Sequence, residues 1–261
     1  FQETATDKIT YTFTINDRKI NVVFIRNNES CSKGKINVYI KQIIVTIYLL
    51  LDLLESNITK SLKIIIILSG KEKQLPKEKN DILHSENVNS GLTYACTEHN
   101  QILLYREEEL CKVLIHELFH AFCGDIYFNN FNFKIKNKLR EIYFINSEIH
   151  IRETFSELMA NLINSMIISY KVSENNFQDF AYNFYVLNAY EKMFSVFQTV
   201  KILDYVNLTY TDITTNKFKS IKNYKEKTNV FAYYILKSLW LFFDNEFLSI
   251  FMKQNKFKKE N

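Results

Sequence analysis

Proline occurs once in the 261 residues, as Pro76, and glycine only four times. So few breakers imply long helices with short connections. No Pro-, Gly- or Ser-rich linker marks a domain boundary, so the chain reads as one unit over 1–261, divided near 124/125. A one-sided charge is missing too: the net charge is +4, with both signs spread along the chain. The basic tail "KQNKFKKEN" (253–261) therefore reads as a solvated terminus, and no nucleic-acid partner is expected. No stacked-aromatic RNA motif or Cys/His finger accompanies it. The four cysteines, Cys31, Cys96, Cys111 and Cys123, form no CxxC pair. A helix between Cys111 and Cys123 holds those two apart, so all four are expected reduced and the protein intracellular. Sequons at Asn28, Asn57 and Asn207 keep a secreted location open, although an Asn-rich chain also produces them by chance. Residues 1–20 hold no apolar h-region. The most apolar run, "IIVTIYLLLDLL" (43–54), is too short to span a bilayer and carries Asp52. It is expected as a buried helix.

What is abundant is apolar mass. Apolar residues make up 47% of the chain, with 22 Phe and 16 Tyr, enough for a sizeable core. "YTFTIND" (11–17) and "KINVVFIRN" (19–27) read as two strands about a turn. A buried helix follows over 36–56, then a buried strand, "SLKIIIILSG" (61–70). "SGLTYAC" (90–96) and "NQILLYR" (100–106) read as two more strands. "EEELCKVLIHELFHAF" (107–122) is a helix pattern with Glu107, Glu108 and Glu109 in its first turn and Gly124 as its stop. A polar, aromatic connection spans 125–145, and helical patterns cover 148–170, 175–202 and 229–244. The expected fold is α+β: an N-terminal mixed sheet with one crossing helix, then the 107–122 helix, then a helical subdomain.

Residues 116–120, His-Glu-Leu-Phe-His, match HExxH. Helical positions four apart differ by about 40° in azimuth, so His116 and His120 share a face and can share one zinc ion. Glu117, about 100° from His116, can reach a metal-activated water and act as general base. The bland alternative is a core helix that happens to carry two histidines. Apolar Leu114, Ile115, Leu118, Phe119 and Phe122 argue against it, because burying two imidazoles and a carboxylate without a partner is costly.

A catalytic zinc needs a third protein ligand. The metzincin pattern would place a Gly at 123 and a His at 126, where the chain has Cys123 and Ile126. The next helical stretch, "RETFSELMAN" (152–161), carries Glu153 and Glu157 on one face. Glu153 can serve as the ligand, and Glu157 can take a histidine N–H. The bland reading is a solvated face or a pair with Arg152. Rivals for the third ligand are Asp125, which can otherwise end the helix or brace a ligand, and His150, which could face a cleft as a proton donor. His84 and His99 read as surface residues.

HExxH followed by a helix with E-x-x-x-D/E resembles the gluzincin zinc metallopeptidases. The resemblance implies a zincin-like fold with Glu153 as ligand and Glu157 bracing a zinc-bound histidine. It covers two short segments, with 32 residues between His120 and Glu153, a longer gap than in well-known gluzincins. Arg152 stands where the family carries Asn. The run "NSGLTYACTEHNQILLYREEELCKVLIHELFHAF" is also similar to uncharacterised HExxH proteins of large DNA viruses.

A hydrolytic zinc site gains from a donor aimed at the developing oxyanion. "TNVFAYYILKSLW" (228–240) offers Tyr233 and Tyr234, with Thr228 or Asn229 as N-cap. Tyr234 is preferred for its mixed face with Phe231, Lys237 and Ser238; core packing is the bland alternative. "SGLTY" or "QILLY" could bind a peptide as an added edge strand. The expectation is a metallopeptidase with one Zn2+, acting on a peptide or protein substrate, with no membrane span. The alternatives are a zincin-like binding module without catalysis and a zinc hydrolase of another amide or ester.

Overall fold

The computed structural model describes residues 7–26, 33–54, 56–126 and 132–254. Cys31, Asn28 and tail residues 255–261 lie outside the described residues. The chain divides into two compact units, Phe1–Gln74 with Glu86–Tyr127, and Leu75–Ser85 with Phe128–Asn261. The fold class is α+β, with a five-stranded mixed sheet and a larger set of helices.

In the first unit, β1 (Asp7–Ile15) and β2 (Arg18–Arg26) form an antiparallel hairpin. Asn16 and Asp17 turn it with φ of 45° and 62°. Two positive φ values match the right-handed strand twist, and Asn and Asp tolerate them. Helix α1 (Lys33–Leu54) then crosses to β3 (Ser61–Leu68), which pairs parallel with β2. Ile36, Ile40, Ile43, Ile47 and Leu50 of α1 are buried, a stripe at alternating four- and three-residue steps. Gly34–Leu54 is longer than the 43–54 run and is long and apolar enough to cross a membrane by length and composition. Its buried stripe is what a core helix shows as well.

A single turn, α2 (Ser85–Val88), precedes β4 (Gly91–Thr93), and β5 (His99–Leu104) follows. The sheet order is β1-β2-β3-β5-β4. β5 is parallel to β3, and β4 is antiparallel to β5 at the edge. β4 is shorter than the 90–96 pattern suggested, and Tyr94 beyond it is exposed. The buried Arg106 guanidinium donates to the carbonyls of Lys71, Glu86 and Asn89, fastening the chain that leads into β4. Helix α3 (Leu110–Ala121) packs on β4, β5 and α1.

Two local expectations fail at the ends of α3. The three glutamates precede the helix instead of filling its first turn. Glu109 sits at the N-cap with φ 58°, while Glu107 accepts from the Tyr39 hydroxyl and Glu109 pairs with Lys73. Lysines and a tyrosine from other elements draw these carboxylates outward. At the other end the left-handed residue is Cys123, φ 64°, not Gly124. Gly124 is required by space: a Cβ there would lie 2.6 Å from Phe119 Cδ1 and 2.9 Å from Leu54 Cδ1.

The second unit is helical: α4 (Asn132–Ile142), α5 (Ile151–Val172), α6 (Phe177–Tyr205), α7 (Tyr210–Thr215) and α8 (Lys217–Asn223). A π-helical turn (Phe231–Leu236) runs into α9 (Lys237–Phe242), and α10 (Asp244–Gln254) follows. The expected connection over 125–145 therefore contains a helix, α4. The Asn176 side chain caps α6 through the Gln178 and Asp179 amides, and a Thr209/Asp212 capping box starts α7. Residues 75–85 belong here because Tyr205 donates to the Glu78 carbonyl and Leu83 bridges to Glu226.

Glu226 anchors the π turn. Its carboxylate accepts from the Phe231 N–H and the Tyr224 hydroxyl, each at 2.8 Å. Burial pushes its pKa up to about 7 from 4.5, against the lowering effect of those hydrogen bonds. A raised carboxyl pKa means the neutral form is favoured on folding. Its stabilising contribution is thus full below about pH 4.5 and is lost as pH rises through 7. The ceiling is roughly 3 kcal/mol at about 1.36 kcal/mol per pH unit. Glu226→Gln should flatten the dependence of unfolding free energy on pH between 4.5 and 7. Urea titrations across that range check it, and an unchanged slope contradicts it.

Candidate functional site

Every residue from Val113 to Ala121 on α3 is buried. Among them His116, Glu117 and His120 are only 5–7% exposed. The four-residue helical step puts both imidazoles on one face, with Nε2 of His116 3.1 Å from Nε2 of His120. Two nitrogens each about 2.0–2.1 Å from a tetrahedral ion would be about 3.4 Å apart. The pair therefore already has nearly the spacing of two ligands on one metal ion.

The other ring nitrogen of His120 is held. Nδ1 lies 2.8 Å from Oδ2 of Asp125, whose side chain is fully buried. A carboxylate accepts only, so Nδ1 carries a proton, which leaves Nε2 as the ring nitrogen able to bind a metal. This is the arrangement in which a carboxylate orients a metal-binding histidine. Asp125 thus braces a histidine, one of the three roles the sequence left to it beside third ligand and helix end. It reaches back because the left-handed turn at Cys123 reverses the chain just past α3.

The end of α3 is fixed from several sides. The Cys96 N–H donates to the His120 carbonyl at 3.0 Å, and the buried Thr59 hydroxyl donates to the Ala121 carbonyl at 2.8 Å. Cys96 and Cys123 are joined as a disulfide across 27 residues. This corrects the expectation of four reduced cysteines; among the described residues Cys111 remains a thiol. Spacing along α3 separated Cys111 from Cys123, but it is the turn after β4 that meets the helix end. The ground for a reducing compartment, four reduced thiols, is thereby removed.

Glu117 faces the start of β4. An ideal Cβ on Gly91 would stand 2.9 Å from Glu117 Oε1 and 2.8 Å from Leu104 Cδ2. Only glycine lets the edge strand pass this close to the carboxylate. Tyr105, at the end of β5, also feels it: burial first, then the negative Glu117, raise the Tyr105 hydroxyl, with Arg106 opposing.

In the second unit Glu153 lies in the first turn of α5, and Glu157 lies one turn on. Glu153 Oε2 accepts from the Tyr233 hydroxyl at 2.9 Å. Asn229 Nδ2 donates to that same hydroxyl at 3.3 Å. Tyr233 and Tyr234 sit in the π turn, not in the α-helix expected over 229–244. Asn229 accepts the Tyr233 N–H, and Thr199 Oγ1 donates to the Tyr234 carbonyl. Phe231, Lys237 and Ser238, read as a mixed face with Tyr234, are buried, while the Tyr234 side chain is half-buried. His150 is the exposed N-cap of α5, and His99 pairs with the Ser61 hydroxyl at 2.9 Å.

In donor chemistry His116, His120 and Glu153 make a set that could hold a metal ion, two imidazole nitrogens and one carboxylate oxygen. No family model, curated protein or solved structure matches the chain. The functional reading rests on its own residues.

Gly91, Thr59 and Tyr105 are residues that the sequence did not single out, and Asn229, read there as an N-cap, instead donates to the Tyr233 hydroxyl. One signal was available: with four glycines in the chain, a glycine opening the strand before HExxH is conspicuous.

Proposed function

We propose that the protein is a zinc-dependent metallopeptidase of the gluzincin type with a zincin-like fold. The observation that carries this reading is the buried His116/His120 pair, its Nε2 atoms 3.1 Å apart and one ring oriented by Asp125. In this reading His116, His120 and Glu153 hold one zinc ion, which leaves a fourth position open. Glu157, one turn on from Glu153 in α5, is the further carboxylate assigned to orient a zinc-bound histidine. When bound, zinc supplies a Lewis acid that acidifies water and polarises a carbonyl.

The remaining work falls to the chain's own groups. Glu117 takes the proton from the attacking water and passes it to the departing amine. With the Tyr233 hydroxyl donating to Glu153, Tyr234 is the tyrosine left to serve as donor for the oxyanion. β4 is an edge strand that packs on α3 and passes Glu117 at Gly91. An extended peptide added to that edge would lie along the strand nearest the base, which supports a peptide substrate.

Metal analysis of purified protein, combined with a peptide-library cleavage assay, tests this. The expected result is one zinc per chain, with cleavage lost on chelation and restored by zinc. No stoichiometric zinc, with a melting temperature unmoved by chelator, overturns it in favour of a binding module. Zinc with hydrolysis of simple esters or amides but no peptide moves the assignment to another hydrolase.

A further inference from the structure

We propose that Tyr233 is a positioning residue that holds the Glu153 carboxylate to one-oxygen metal binding. The inference rests on the zinc reading above and deepens it. Its basis is a continuous chain of side chains in the second unit. Asn229 Nδ2 donates to Tyr233 Oη at 3.3 Å, and Tyr233 Oη donates to Glu153 Oε2 at 2.9 Å. A phenol has one proton to give. Here Glu153 takes it, so the Tyr233 hydroxyl is committed to the carboxylate and not to a substrate oxygen.

The backbone explains why this tyrosine points reliably. The π turn widens the helix by one residue, and such turns recur at functional sites. Its opening N–H, from Phe231, is tied to Glu226, and the Tyr233 N–H is tied to the Asn229 carbonyl. Phe231, Ile235 and Leu236 are buried, so the turn cannot rotate without unpacking the core. Asn229 then touches Tyr233 twice, by backbone and by side chain. The phenol is held at both ends.

The chemical consequence concerns coordination number. A carboxylate can bind a metal through one oxygen or two. A hydrogen bond that occupies Oε2 leaves Oε1 as the better donor and opposes the two-oxygen mode. One-oxygen binding keeps a coordination position free for water or a substrate carbonyl, which a hydrolytic site requires. A partner that orients a ligand in this way is typically worth about 10–100-fold in metal affinity.

The test is titration of metal-free protein with Zn2+ against a chromophoric chelator, together with the visible spectrum of the Co2+-loaded protein. Tyr233→Phe should bind zinc about 10–100-fold more weakly. Its Co2+ bands should also lose intensity, as a higher coordination number dictates. Asn229→Ala should weaken zinc in the same direction by a smaller factor, and it becomes the deciding variant should Tyr233→Phe fail to fold. Tyr185→Phe, on the exposed face of α6, is the control and should change neither readout. Wild-type affinity and spectrum in both site variants overturn the inference while leaving the zinc reading intact. Wild-type protein that binds neither Zn2+ nor Co2+ overturns both.

Discussion

Glu117→Gln is expected to keep zinc bound at one per chain while peptide hydrolysis falls by about a thousandfold, within the usual range for a general base. Glutamine has nearly the shape of glutamate, and the space beside Gly91 admits it without moving β4. What it lacks is a site for a proton at neutral pH. Zinc affinity should stay within a few-fold, because Glu117 is assigned no ligand role. The variant should also fold as the wild type does, since a neutral amide is easier to bury than a carboxylate. Zinc analysis, a thermal melt and turnover of a peptide identified in the cleavage screen make the check. A variant that retains zinc and full activity contradicts the assignment of Glu117.

His120→Ala should do more, because it breaks two things at once. It removes one of the three proposed zinc ligands, so stoichiometric zinc and activity are both expected to vanish. It also strips Asp125 of its partner, and that side chain is fully buried. Removing one member of a buried pair typically costs about 3–5 kcal/mol. The metal-free variant should therefore unfold at markedly lower urea than metal-free wild type. Adding Asp125→Asn to His120→Ala should recover much of that loss, because the buried charge is gone while the shape remains. Non-additivity of this kind is how a double-mutant cycle reports a direct pairing. Equal stabilities of the metal-free wild type and His120→Ala would contradict the buried pairing.

The strands and long helices were legible because the chain has few breakers and strong apolar periodicity. The α+β class follows from that pattern, as do strands β1 to β3 and helices α1, α3, α5 and α6. The HExxH geometry was legible for a similar reason. A four-residue step on a helix fixes the relative direction of two side chains whatever surrounds them. What lay beyond reach depended on turns and on distant partners. Cys123 takes the left-handed conformation that Gly124 was expected to take, and that choice turns Asp125 back to His120. Cys96 meets Cys123 only because β4 ends beside the helix terminus. The three glutamates before α3 obey their tertiary partners rather than the helix dipole. The π turn at Phe231–Leu236 has no sequence period of its own, so the order of preference between Tyr233 and Tyr234 rested on an α-helical face that does not form.

Short helices were missed where the apolar pattern is weak. α4, "NFKIKNKLREI", is mostly polar, and α7 and α8 are held by caps rather than by a long buried stripe. The same weakness in tertiary signal hid Asn229, whose importance lies in one hydroxyl four residues on.

The central claim is that zinc is shared by His116, His120 and Glu153. Anomalous diffraction at the zinc absorption edge, from crystals of zinc-loaded protein, tests it most directly. The account predicts a single strong peak about 2.0–2.2 Å from Nε2 of His116, Nε2 of His120 and one carboxylate oxygen of Glu153. A peak that takes Asp125 or Glu157 in place of Glu153, or no peak beside the two histidines, would contradict it.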